Sequence, residues 1–155
     1  MKKILTLMMA FAVACCMAAC GNPASNGEPA AGAETITIQA LNANKETVDV
    51  EVPYDPKRIA ILDMPALDIV DALGLGDRVV GSAAVSIEYL TDYNPDGSKG
   101  TIMNLGTVKT ADLEKVAACE PDIIFIGGRL SAVYADLEAI APVVYLAVDY
   151  EKGVV

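Results

Sequence analysis

Histidine is absent from this 155-residue chain, and the gap excludes more chemistry than any single residue supplies. Without it the chain lacks the commonest general base and the commonest transition-metal ligand. A serine nucleophile would have no imidazole to activate it, and no G-x-S-x-G elbow occurs. Tryptophan is missing too, so intrinsic tryptophan fluorescence has nothing to report. Basic side chains are scarce: 11 Lys and Arg stand against 21 Asp and Glu. That imbalance argues against nucleic acid or an anionic lipid surface as a partner, although a local pocket can carry the opposite sign. No phosphate loop of the Walker kind is present. Gly74-Leu75-Gly76 followed by Gly81 has the wrong spacing for a dinucleotide fingerprint. It also joins a helix to a strand, whereas the fingerprint needs a strand-to-helix turn. Asp63, Asp68 and Asp71 are close in sequence. Asp68 and Asp71 read as the solvated face of a helix, with no acid–base partner in view. Neither an enzyme nor a bound cofactor is expected.

What is present begins with the leader. Lys2 and Lys3 precede an apolar stretch, residues 4–19, broken only by Thr6. The stretch is short for a membrane span and ends in small residues, the pattern of a cleavable signal. Met17-Ala18-Ala19-Cys20, followed by Gly21-Asn22, resembles a bacterial lipoprotein signal. That resemblance implies removal of residues 1–19 and a lipid on Cys20. Cys15 and Cys16 then leave with the leader. Cys119 stands alone, no internal disulfide forms, and Cys119 reads as a small apolar residue near a helix end. The 136 residues that remain carry nine basic and 21 acidic side chains, because Lys2 and Lys3 are also lost. One domain of that length buries roughly two-thirds of the surface its unfolded chain exposes. Residues 20–34, rich in Gly, Pro, Ala, Ser and Asn, read as a flexible tether.

Residues 35–155 read as an α/β lobe. Residues 35–40 and 47–52 alternate in strand fashion around Asn42-Ala43-Asn44-Lys45, which predicts a β-hairpin. From Arg58 the pattern changes. The apolar run 58–62 predicts a strand buried on both faces. Pro65 sits in the first turn of a helix through Leu73, with Leu67, Val70 and Leu73 inward and Gly74 just past its end. Residues 78–82 predict a second strand. Residues 86–100 are irregular, with a turn signal at Asn94-Pro95-Asp96-Gly97. Thr110 is expected to cap a helix with Leu113, Val116 and Ala117 inward, stopped by Pro121. Residues 122–126 and 143–148 predict two more buried strands. Between them a helix is expected from Ser131, with Val133, Leu137, Ile140 and Ala141 inward. Alternating strands and helices imply a parallel sheet with helices on both faces.

In such sheets ligands bind beyond the carboxyl ends of the strands. Those ends fall at Asp63-Met64, Ser82-Ala83-Ala84, Gly127-Gly128-Arg129 and Asp149-Tyr150. Two glycines let a ligand come close to the backbone, and a guanidinium beside them can pair with oxyanions or lie on an aromatic ring. A surface ion pair with a carboxylate such as Asp136 would serve Arg129 equally well. The chain reads as half of a larger architecture.

Several segments are similar to one family. Val52-Pro53-Tyr54-Asp55-Pro56-Lys57-Arg58-Ile59-Ala60 has the "V-P-x-x-P-x-R-I-A" pattern of the single-helix-hinge substrate-binding proteins of ABC importers. Residues 67–81, LDIVDALGLGDRVVG, match their "L-D-x-L-x-x-L-G-x-x-D-R-V-V-G". Asn104-Leu105-Gly106-Thr107-Val108, then Asp112-Leu113-Glu114-Lys115-Val116, resembles "N-x-G-x…D-x-E-x-I". Glu120-Pro121-Asp122 opens a segment similar to "x-P-D-L-I-I-I". Gly128-Arg129 with Ile140-Ala141-Pro142 resembles the ferric-siderophore branch, especially its catecholate-type lipoproteins.

The resemblance implies the N-terminal lobe of a two-lobe binding protein, with the C-terminal lobe absent. It implies a monomer held outside the cell membrane through the Cys20 lipid, delivering an iron(III)–siderophore to an ABC permease. Arg129, Thr107, Met64 and Ala84 would face the ligand, and Glu114 would dock on permease arginines. Relatives that bind bare zinc or manganese use histidine, which this chain lacks; cobalamin and haem are the alternatives within the family. An exported enzyme or an adhesive lipoprotein is the reading outside it. One lobe alone would leave half the ligand wet and bind it poorly.

Overall fold

The computed structural model describes residues 34–149 and 153–154; the leader, Cys20 and the tether lie outside the described residues. The two alternating stretches pair with each other. β1 (Thr35–Leu41) and β2 (Thr47–Pro53) form an antiparallel hairpin in which Thr35 faces Pro53 and Leu41 faces Thr47. Asn42 shapes its turn: Oδ1 accepts from the backbone N–H of Asn44 and of Glu46, and Lys45 takes a φ of 63°.

The α/β units follow: β3 (Ile59–Leu62), α1 (Met64–Ala72), β4 (Val79–Ser82), β5 (Met103–Asn104), β6 (Gly106–Thr107), β7 (Thr110–Ala111), α2 (Leu113–Ala118), β8 (Ile123–Gly127), α3 (Tyr134–Glu138) and β9 (Val143–Leu146). A last small hairpin joins β10 (Val148–Asp149) to β11 (Gly153–Val154). The main sheet has the order β2-β1-β9-β8-β3-β4-β5. From β9 to β5 it is parallel, and the hairpin extends it antiparallel through the pairing of Leu41 with Tyr145.

The apolar runs are continuous because both faces of these strands are covered. Ile59, Ile61, Ile123 and Val144 pack with Leu67 and Val70 of α1. Ala60, Leu62, Ile124, Ile126, Val143 and Tyr145 pack on the other face with Val116 of α2 and Leu137 of α3. Each fully buried Ile or Leu contributes about 1.5–3 kcal/mol relative to exposure.

Four expectations about helices need correction. Leu73 is exposed, because it is the C-cap of α1, where the chain turns away through Gly74 at φ 72°; Ala66 joins the inner stripe instead. Asp112, not Thr110, caps α2: its Oδ1 accepts from Lys115 N–H at 3.2 Å, while Thr110 belongs to β7. Ala117 is exposed, and Cys119 is the buried residue at that end. The segment after β8 begins as a 3₁₀ turn, Gly128–Val133, before α3. That tighter winding brings Leu130, Tyr134, Leu137 and Ala141 inward.

The motif residues at the base of the sheet lock two chain segments together. Asp122 Oδ2 accepts from Lys57 N–H at 2.7 Å and Arg58 N–H at 2.9 Å. Arg58 reaches back to the Cys119 and Glu120 carbonyls, at the C-terminal end of α2, where positive charge suits the dipole. The irregular segment 86–100 is pinned by Tyr93, whose hydroxyl donates to Asp71 at 2.6 Å. It is pinned also by the Asn94 side chain, which bonds both the N–H and the C=O of Val85.

Candidate functional site

The sheet changes direction between β3 and β8. From β3 the chain steps outward to β4 and β5, then returns to place β8 and β9 on the other side. The loops leaving β3 and β8 lead to helices on opposite faces, the arrangement that in such sheets places a crevice at the carboxyl ends of the strands. Met64, Ala84, Thr107 and Arg129 follow β3, β4, β5 and β8 respectively, so one edge of the sheet carries all four. At one strand spacing per step, that edge spans roughly 14 Å.

The four residues differ in what they can offer. Met64 opens α1 half-buried and packs against both core clusters. Ala84 is exposed, and its N–H donates to Gly106 C=O at 2.8 Å, tying the β4 loop to the β5 loop. Thr107 is exposed, but its Oγ1 accepts from Lys109 and Thr110 N–H within its own turn, which leaves the O–H free to donate outward. Arg129 is exposed and, among the described residues, has neither an ion pair nor a hydrogen bond. The pair with Asp136 is not formed.

Gly127 is needed for closeness rather than for backbone conformation. Its φ is an ordinary −98°, but a Cβ built there would overlap Asp63 Oδ1. Asp63 therefore lies across Gly127 at the mouth of the crevice. It is half-buried; Oδ2 caps α1 by accepting from Ala66 N–H at 3.1 Å. Burial holds its carboxyl above the ordinary range, and the bond from Ala66 only partly offsets this. Across the strand, Tyr145 is buried on β9, and a Cβ on Gly128 would lie 3.5 Å from its hydroxyl. That hydroxyl has no hydrogen-bond partner among the described residues. Sequence reasoning places Asp63 at a strand end without giving it a part, and misses Tyr145; the two glycines were the signal that something packs closely on them.

Glu114 lies exposed in the first turn of α2. A helix that feeds a parallel strand starts at the sheet's carboxyl end, so Glu114 shares that end with the crevice without lining it. Cys119 is buried, its thiol donating to Val116 C=O, and burial pushes its pKa up, away from thiolate chemistry. An open groove of about 520 Å³ between the hairpin and α3 includes Val143, where β9 begins, and contains none of these residues.

The periplasmic binding protein family model matches residues 59–153. The chain is similar to the petrobactin-binding protein YclQ of Bacillus subtilis, 35% identical over 155 residues, covering 98% of this chain and 46% of that protein. It is similar also to the iron(3+)-hydroxamate-binding protein FhuD of the same organism, at 32% identity over 97% of this chain and 44% of that one. The crystal structure of YclQ superposes with a TM-score of 0.68 at 36% identity, over 77% of this chain and 40% of that one. The catecholate-siderophore binding protein VctP of Vibrio cholerae gives 0.63 at 25%, over 76% and 40%. The chain thus spans less than half the length of these relatives.

Proposed function

Because the chain belongs to the periplasmic binding protein family, we propose that it is the N-terminal lobe of a lipid-anchored solute-binding protein. Its ligand is an iron(III)–siderophore of the catecholate type, delivered to an ABC permease. The observation that carries this reading is Arg129: a guanidinium, exposed and unpaired among the described residues, beside the switch point of a parallel sheet. A catecholate complex is anionic and aromatic, and both properties suit arginine. The relatives are named for petrobactin and for iron(3+)-hydroxamate, which supports an iron–siderophore ligand without selecting the catecholate type.

The test is calorimetric titration with a ferric catecholate, a ferric hydroxamate, cobalamin and haem. Residues 20–155 alone are expected to bind the catecholate weakly. The same lobe joined to the C-terminal half of a relative is expected to bind it tightly. Tight binding by the single lobe refutes the half-site reading. A two-lobe protein that prefers cobalamin or haem refutes the siderophore.

Cys20 is the proposed lipid site, since Lys2, Lys3 and the apolar stretch lead to Met17-Ala18-Ala19-Cys20. Cys20→Ala is expected to abolish lipid labelling and release the protein into the soluble fraction; undiminished labelling would remove the assignment.

Glu114 is the proposed permease contact. Its carboxylate is exposed at the start of α2 and unpaired among the described residues. A carboxylate there also favours the helix dipole, by about 0.3–1 kcal/mol. In a two-lobe protein, Glu114→Arg is expected to impair uptake while leaving siderophore affinity unchanged. Loss of both, or of neither, contradicts docking.

A further inference from the structure

Taking the ferric-siderophore reading as its basis, we infer that Asp63 determines specificity, its carboxylate accepting a hydrogen bond from a protonated nitrogen, an ammonium above all, on the ligand.

The argument starts from what a helix cap requires. One acceptor satisfies one of the orphan N–H groups at the start of α1, and Oδ2 supplies it to Ala66. Asparagine would cap equally well without a charge. Oδ1 accepts nothing among the described residues, yet it is held against Gly127, where a Cβ would displace it. The site is half-buried, so the charge forgoes part of its hydration, and burial raises the carboxyl's pKa in consequence. The charge gains a little from the dipole at the start of α1, but it forgoes hydration there, and its Oδ1 has no partner among the described residues. A free lone pair, fixed in direction and partly shielded from water, is suited to a donor arriving from outside.

Its position decides which donor. Asp63 follows β3 and Arg129 follows β8, on adjacent strands at the switch point. The crevice therefore offers an anion and a cation side by side, separated by Gly127 and Gly128. A uniformly anionic ligand would meet Arg129 favourably and Asp63 unfavourably. A ligand with both an anionic iron centre and an ammonium on its arm meets both favourably. Met64, half-buried beside Asp63, supplies an apolar wall for the methylene groups of such an arm.

The experiment titrates the chain with two ferric tris-catecholates of equal denticity and follows backbone amide shifts by NMR. One ligand carries a free ammonium arm, and in the other that arm is acetylated. Wild type is expected to bind the ammonium ligand roughly three- to tenfold more tightly. Asp63→Asn keeps the cap and is expected to lose that preference while retaining its affinity for the acetylated ligand. Asp63→Ser, which caps but is too short to reach over Gly127, should behave the same way. A preference that persists in both variants overturns the inference and leaves the siderophore reading intact. Failure of wild type to bind either complex, both as the single lobe and when joined to the C-terminal half of a relative, overturns the siderophore reading, and this inference with it.

Discussion

Replacement of Arg129 by alanine is expected to weaken binding of a ferric catecholate about tenfold to a hundredfold in a two-lobe protein. The figure is the roughly 1.5–3 kcal/mol of one charge-assisted contact to a partly buried anion. Arg129 has no ion-pair partner among the described residues, so its removal leaves no local carboxylate uncompensated and should not cost stability. Affinity and stability are therefore separable at this position. Arg129→Lys restores the charge but not the planar fork, and should recover only part of the loss. The effect should be larger for anionic catecholates than for neutral hydroxamates. Titration of the three proteins against both ligand classes is the measurement. Equal affinities would make Arg129 a solvated surface group and remove the main reason for preferring catecholates.

Gly106→Ala is expected to destabilise the lobe by about 2–4 kcal/mol. Two causes act together. Gly106 has a φ of 104°, which L side chains rarely adopt, and a Cβ there would strike the Thr110 carbonyl oxygen, a backbone atom with little room to yield. The same residue holds the β5 loop in place: its N–H donates to Asn104 Oδ1 at 2.8 Å and its C=O accepts from Ala84 N–H at 2.8 Å. Gly100 provides the control. Its φ is also positive, at 57°, but nothing lies within 4 Å of a Cβ there. Gly100→Ala is expected to cost only about 1 kcal/mol. Thermal unfolding of the two variants distinguishes the causes: equal shifts in Tm would mean that backbone conformation alone matters at Gly106, and that the contact with Thr110 relaxes freely.

Where a helix or strand was legible, its local signal and its tertiary role agreed. The apolar run before Asp63 could be little else than a strand covered on both faces, and Pro65 with Gly74 bracketed a helix by conformational preference alone. Misreadings came where periodicity was extended past a helix end. Leu73 continues the apolar spacing but is a capping residue, beyond the surface that α1 covers. Thr110 and Asp112 are both good caps by chemistry. A two-residue pairing, Gly106–Thr107 with Thr110–Ala111, gave Thr110 to β7, and no sequence period announces so short an element.

By itself, the sequence determined the chemical limits and the order of the elements. The missing histidine, the acidic excess, the apolar N-terminal stretch before Cys20 and the strand–helix alternation are properties of residue type and spacing, which need no coordinates to act. Only the tertiary structure decided which loops share the crevice. Residues 64, 84, 107 and 129 are far apart along the chain, and they come to one edge because hydrogen bonding orders the strands β8-β3-β4-β5. Strand order is a non-local choice, fixed by how both faces of the sheet are buried, and the period of each segment carries no record of its neighbour. The same holds for Asp63. Its charge is visible in the sequence, but its half-buried seat over Gly127, with one carboxylate oxygen unpartnered among the described residues, exists only once β3 lies beside β8.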